Sequence, residues 1–239
     1  TPTPAYPILS GLVGSEMCIR DSFLVARKDL IIERRAHVVL GQVSPLGLLI
    51  LVVFGFAFDA NVELLRLGSA GLFWVAVLFT GLLLVQRTFD VETEDGNLDA
   101  LRLSGFVPQS IFFGKVIGLI VQLFLLEFAL IIGLFVLFDV AVVDWLLFLS
   151  ATILGTFAFS VCGALFGALA SGIRLRSTLL PLLLIPVLAP VLLAGTRAHE
   201  VALGLSSAPG WNWTGLLLVI TAVYTSLGLV SFGPLLEDG

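Results

Sequence analysis

Charge is scarce. Only 12% of the 239 residues are Asp, Glu, Lys or Arg, against about 25% in a typical soluble domain. Histidine and cysteine are nearly missing, with two of each, so the chain has few ligands for a structural metal. No GxxxxGK[ST] run cradles a nucleotide. No HExxH, no CxxC and no GxSxG nucleophile elbow occurs. These absences point away from an enzyme, and no catalytic or metal-ligating residue is expected. There is no basic run with interleaved aromatics, so nucleic acid is not an expected partner. The net charge of −5 resides in a few short connections and says little about partners.

What remains is apolar. Hydrophobic residues make up 59% of the chain, and the mean hydropathy is +1.12. Apolar runs of this length without alternation point to membrane-spanning helices and away from a barrel, because lipid offers backbone groups no water to bond. The expectation is an all-α polytopic membrane protein. Helices of about 20 residues cross a hydrocarbon core of about 30 Å. Six spans are expected: Val38–Phe58, Leu67–Gln86, Val116–Phe138, Trp145–Ser171, Ser177–Thr196 and Trp213–Leu236.

Thr1–Ser22 reads unlike the rest. It holds Pro2, Pro4, Pro7 and the sole methionine, Met17. Its stretch YPILSGLVGSEMCIRDS resembles translated sequencing-adapter sequence, with a start at Met17 as the runner-up. Residues 1–22 are therefore expected to be a non-native leader, and 23–239 a single six-helix transmembrane domain. The stretch from Phe23 to His37 is amphipathic. Leu24, Leu30 and Ile31 oppose Arg27, Lys28, Arg34 and Arg35, which suits an interfacial helix with its cations toward lipid headgroups. Arg27, Lys28, Arg34, Arg35, Arg87, Arg102, Lys115, Arg174 and Arg176 fall on one side of the six spans. Only Arg66 and Arg197 fall on the other. The excess puts both termini in the cytoplasm. Trp74, Trp145, Trp211 and Trp213 then sit at the outer interface.

The longest cytoplasmic connection, Arg87–Lys115, is acidic and then helical in pattern. Asp95-Gly96-Asn97 signals a turn with a cap for the helix after it. Leu98, Leu101 and Leu103 supply an apolar stripe, and Pro108 ends it. Such a short amphipathic helix can dock into a groove on a soluble partner. Glu127 falls at the midpoint of the third span, where an ionised side chain costs about 2.5–3.5 kcal/mol. It reads either as a substrate-path or switch residue, or as a neutral acid bonded to another helix. Gln122 does not share its face. Pro181, Pro186 and Pro190 lie in the fifth span, as a bent packing element or a gate. Gly163 and Gly167 form a GxxxG that suits packing within the bundle or a homodimer. His199 is expected in the outer loop. Cys162 reads as a small buried hydrophobe.

Phe73-Trp74-Val75-Ala76, Arg87-Thr88-Phe89, Glu94-Asp95-Gly96 with Leu98 and Leu101, then Pro108 and Lys115, occur in this order and spacing. Together with the amphipathic start they resemble the B subunit of the cytochrome c maturation haem exporter, the CcmB family of ABC-2-like permeases. Leu103-Ser104-Gly105-Phe106 departs from the family, where a more proline-rich stretch is expected. The resemblance implies a non-catalytic permease subunit in the bacterial inner membrane, acting in c-type cytochrome biogenesis. Its implied partners are an ABC ATPase at the cytoplasmic face, other cytochrome c maturation membrane subunits and a periplasmic haem chaperone. ATP would act only through the partner subunit. Haem would be a transported or handled ligand, not covalently bound. The ATPase-coupling residues would be Arg87, Glu94, Asp95, Gly96, Leu98, Leu101 and Pro108. His199, Trp211 and Trp213 would be the haem-contact candidates. The alternatives are an ABC-2 permease for a drug or polysaccharide, and an ion-coupled carrier using Glu127.

Overall fold

The computed structural model describes residues 21–31, 33, 37, 39–58, 61–94, 108–171 and 176–237. Every regular element among them is helical. α1 covers residues 21–31. A π-helical turn, Val39–Val43, leads into α2, Ser44–Ala57. Then come α3, Val62–Glu94; α4, Pro108–Phe138; α5, Trp145–Ser171; α6, Arg176–Ala202; and α7, Gly210–Glu237. Five helices, α3 to α7, are long and apolar enough to cross a membrane, and a shorter apolar helix covers Gly41–Ala57. The chain is a multi-pass membrane protein.

Local chemistry sets the helix ends. Pro45 stands in the first turn of α2. It has no N–H for the carbonyl of Gly41, so the ordinary ladder cannot run back through it, and the preceding turn is π-helical instead. Asn61 caps α3, its Oδ1 accepting from the backbone N–H groups of Glu63 and Leu64 at 3.1 and 3.2 Å. Asp144 caps α5 through the N–H of Leu147 at 3.0 Å. Pro108 opens α4, where a missing N–H costs nothing.

Three expected boundaries need correction. α3 starts at Val62 and runs on to Glu94, so Arg87 and Glu94 belong to a helix rather than to a connection. α4 starts at Pro108, eight residues before the expected span. Both helices exceed about 45 Å at 1.5 Å per residue, and so project beyond a core of about 30 Å. α6 continues past Thr196 to Ala202. Asp95, Gly96, Leu98 and Leu101 lie outside the described residues, as do Thr1 to Arg20.

The bundle is apolar on its outer faces as well as in its core, and polar side chains of the spans turn inward. Phe128, Ile132 and Val136 line the outer face of α4, and Leu218, Val219, Leu227 and Val230 that of α7. Ser69, Thr80, Gln122, Glu127, Thr152, Thr156, Ser160 and His199 are buried. That is the sign pattern of a protein in lipid. Gly163 and Gly167 face Val85 and Phe89 of α3, so this GxxxG packs helices within the chain. α1 lies along α4. A methyl group at Gly114 would meet Val25, and one at Gly118 would lie 3.5 Å from the Asp29 Cβ. Four residues along one helix match four along the other.

Candidate functional site

Thr152 and Thr156 sit one turn apart on α5 and share a face. Each hydroxyl also reaches back to the carbonyl four residues earlier, Phe148 at 2.9 Å and Thr152 at 2.8 Å, the usual way a helix accommodates threonine in an apolar setting. Their free sides meet two other helices. Thr156 Oγ1 lies 2.6 Å from Glu127 Oε2 of α4. Thr152 Oγ1 lies 3.0 Å from His199 Nε2 of α6. On the far side of the imidazole, Trp74 of α3 donates its indole N–H to His199 Nδ1 at 2.7 Å. One chain of polar contacts, Trp74–His199–Thr152–Thr156–Glu127, thus ties four helices together.

The donors and acceptors order this chain. Nδ1 accepts from Trp74, so the ring proton sits on Nε2 and is donated to Thr152 Oγ1. The Thr152 proton then goes to the Phe148 carbonyl. Thr156 has one proton for two acceptors, the Thr152 carbonyl and the Glu127 carboxyl. Both contacts are hydrogen bonds at once only when the carboxyl supplies a proton of its own. Among the described residues Glu127 Oε1 has no partner.

Packing fixes these rings. Methyl groups at Gly155 and Gly195 would collide with the Trp74 indole, so the two glycines form the slot that holds it. Phe148 packs edge-on against His199 with centroids 4.5 Å apart, and Phe73 closes another side at 5.5 Å. Beside Trp74, a groove of about 420 Å³ opens between α3 and α6, lined by Gly71, Val75, Ala189 and Leu192. Arg197 and Glu200 pair at its lining, 2.8 Å apart.

Two expected placements are overturned. His199 is not a loop residue. It lies in the last turn of α6, 1% exposed, with both ring nitrogens engaged. Trp74 is not an interfacial anchor but a core residue, also 1% exposed. The reason is the same for both: helices continue beyond the expected apolar runs and keep one face on the bundle. Trp211 is exposed at the start of α7, and Trp213 packs against the core. Glu127 gains the partner on another helix that its position demands. Gln122 instead accepts from Thr88 at 3.4 Å. Arg87 is exposed on α3, with Gln42 Oε1 at 3.5 Å. Pro108 stands at the α4 start, away from the polar chain. Sequence reasoning missed Thr152 and Thr156. Their i, i+4 spacing in an apolar span was the available signal.

Among the described residues no group of three or more His, Cys, Asp or Glu side chains could hold a metal ion. The polar chain holds helices in register and presents one open acceptor.

Known proteins are similar to this sequence. Residues 20–235 match the family described as CcmB protein. "Heme exporter protein B" of Pseudomonas aeruginosa is 32% identical over 221 residues, which cover 87% of this chain and 95% of that protein. The protein of the same description from Haemophilus influenzae is 30% identical over 189 residues, covering 78% of this chain and 81% of its own. That from Paracoccus denitrificans is 28% identical over 207 residues, covering 86% and 92%. With the match running through all five long apolar helices and the helix before them, this chain belongs to the CcmB family.

Proposed function

We propose that this chain is the membrane permease subunit of an ABC-type haem exporter that serves c-type cytochrome biogenesis. The observation that carries the reading is the family match over residues 20–235, joined to relatives described as heme exporter protein B along most of their length. The chain lacks a nucleotide-binding motif of its own, which fits a subunit driven by a partner ATPase. That partner binds the end of α3, with Arg87 and Glu94, the segment after it, with Asp95, Gly96, Leu98 and Leu101, and Pro108 at the start of α4. The subunit crosses the bacterial inner membrane six times, α2 being the first crossing, with both termini in the cytoplasm. α1 lies at the cytoplasmic interface. Haem, handled with other maturation subunits and a periplasmic chaperone, is its cargo.

The test is complementation of a bacterial strain lacking its own such subunit. Expression of this chain should restore haem-stained c-type cytochromes in the periplasmic fraction, and the host ATPase should co-purify with it. Restoration of neither, with the protein present in the membrane, overturns the reading. Loss of function in Glu127→Gln with no ATPase bound would instead favour the ion-coupled carrier.

A further inference from the structure

Lys115 and Asp29 form a buried ion pair. Lys115 Nζ lies 2.8 Å from Asp29 Oδ2, and the two side chains are 1% and 7% exposed. Three elements meet there. Asp29 belongs to α1. Lys115 stands seven residues into α4. Phe89, near the end of α3, lies beneath the ammonium with its ring centroid 5.6 Å from Nζ, close enough for a cation–π contact. α1 also carries a second cation beside this carboxylate, Lys28, whose Nζ lies 3.8 Å from Asp29 Oδ1. The helix presents Ser22, Val25, Ala26 and Asp29 to the bundle, while Phe23, Leu24 and Ile31 point outward. Two small apolar side chains do not fix the register of an eleven-residue helix by burial. Buried ion pairs add little net stability against an apolar substitute, but they set register well, because a slipped pair leaves a charge buried alone. Gly114 and Gly118 complete the fit by letting α1 approach closely enough for the pair to form.

The place of the pair matters as much as its burial. α3 ends at Glu94 and α4 begins at Pro108, so Phe89 and Lys115 flank the two roots of the segment between them. We propose that Asp29 and Lys115 are positioning residues that clasp α1 to those roots, so that a displacement of the α3 end and the α4 start carries α1 with it as one body. The inference rests on the proposed ATPase-driven reading, and it adds the element that receives the motion. α1 then brings Phe23, Leu24 and Ile31, the side it turns away from the bundle, to bear on the lipid interface.

The experiment uses the complementation strain and the purified complex with its ATPase. Restoration by the unaltered chain tests the functional reading alone. Asp29→Lys and Lys115→Asp, each alone, should lower c-type cytochrome about tenfold, the size of an ordinary coupling between sites. ATPase co-purification and ATP hydrolysis should stay near the unaltered level. The double exchange should return cytochrome to within about twofold, because the coupling energy belongs to the pair. Lys115→Arg should behave as the unaltered chain does. If the charge reversals fail to accumulate in the membrane, the neutral variants Asp29→Asn and Lys115→Gln, close to the originals in size, carry the same expectation. Full cytochrome levels in the single variants overturn the clasp. So does a parallel loss of ATPase binding and hydrolysis, which a merely structural role would produce.

Discussion

Trp74 and His199 are joined by one hydrogen bond across 125 residues of sequence, between α3 and α6. Removing the donor while keeping an aromatic ring isolates its worth. Trp74→Phe leaves His199 Nδ1 without its partner inside the bundle, and an unsatisfied buried acceptor costs about 1–3 kcal/mol. Thermal unfolding of the detergent-solubilised protein should shift down accordingly. His199→Phe in the same background also removes the Thr152 contact of Nε2 at 3.0 Å, but the indole bond is already gone, so the double variant should lose less than the sum of the two single losses. A fully additive loss would show that the indole bond does not couple the two residues. The position of Glu127 in the middle of an apolar run made its burial legible, and with it the need for a partner on another helix. The identity of the partner was not legible. Thr156 is one of several hydroxyls in the apolar spans, and only the relative rotation of α4 and α5 selects it. Trp74 misled for a related reason. A tryptophan near a span end looks like an interfacial anchor until the two glycines that make its slot, on other helices, are known.

At the level of elements, the glycines separate into those that touch another helix and those that face outward. Gly167 of α5 lies against the Phe89 ring, whereas Gly215 of α7 has nothing within 4 Å of an added Cβ. Gly167→Leu forces Phe89 out of place and should cost about 1–3 kcal/mol by overpacking. Gly215→Leu should stay within about 0.5 kcal/mol. Unfolding midpoints of the two variants in one detergent check this, and equal losses would remove the distinction between packed and outward faces. The long apolar helices themselves were legible from composition and run length. The end of α6 was not, because Arg197, His199 and Glu200 look like a loop. The signal that the helix continues was weaker: Ala194, Ala198 and Ala202, each four residues apart, are buried against the bundle. Pro181, Pro186 and Pro190 do not end the helix either. Tyr224 of α7 donates to the Val187 carbonyl at 2.8 Å, tying the proline-bearing stretch to its neighbour.

For the whole molecule, the number of crossings turns on α2. Its apolar helix, Gly41–Ala57, is about 25 Å long at 1.5 Å per residue, somewhat less than the hydrocarbon core of about 30 Å. Length alone therefore leaves five crossings or six. The packing of α2 fits the six crossings proposed. Gly47 lies against Leu130 and Thr80, and Leu48 lies against Gly133, so α2 sits deep against α4 and α3. It leads to the α3 start, where Arg66 pairs with Asp139 just past the end of α4. α1 lies at the opposite end of α4, beside Lys115. If α2 crosses, Arg27 and Glu63 are on opposite sides of the membrane. Single cysteines at these two exposed positions, in a background of Cys18→Ser and Cys162→Ala, test this with a membrane-impermeant maleimide on spheroplasts. Glu63→Cys should label in intact spheroplasts, and Arg27→Cys only after permeabilisation. That outcome also assigns the α1 end of the bundle, with its excess of Lys and Arg, to the cytoplasm, the side that the proposed ATPase partner requires. Labelling of both from one side would reduce the crossings to five, and would part α1 from the face that the coupling segment needs.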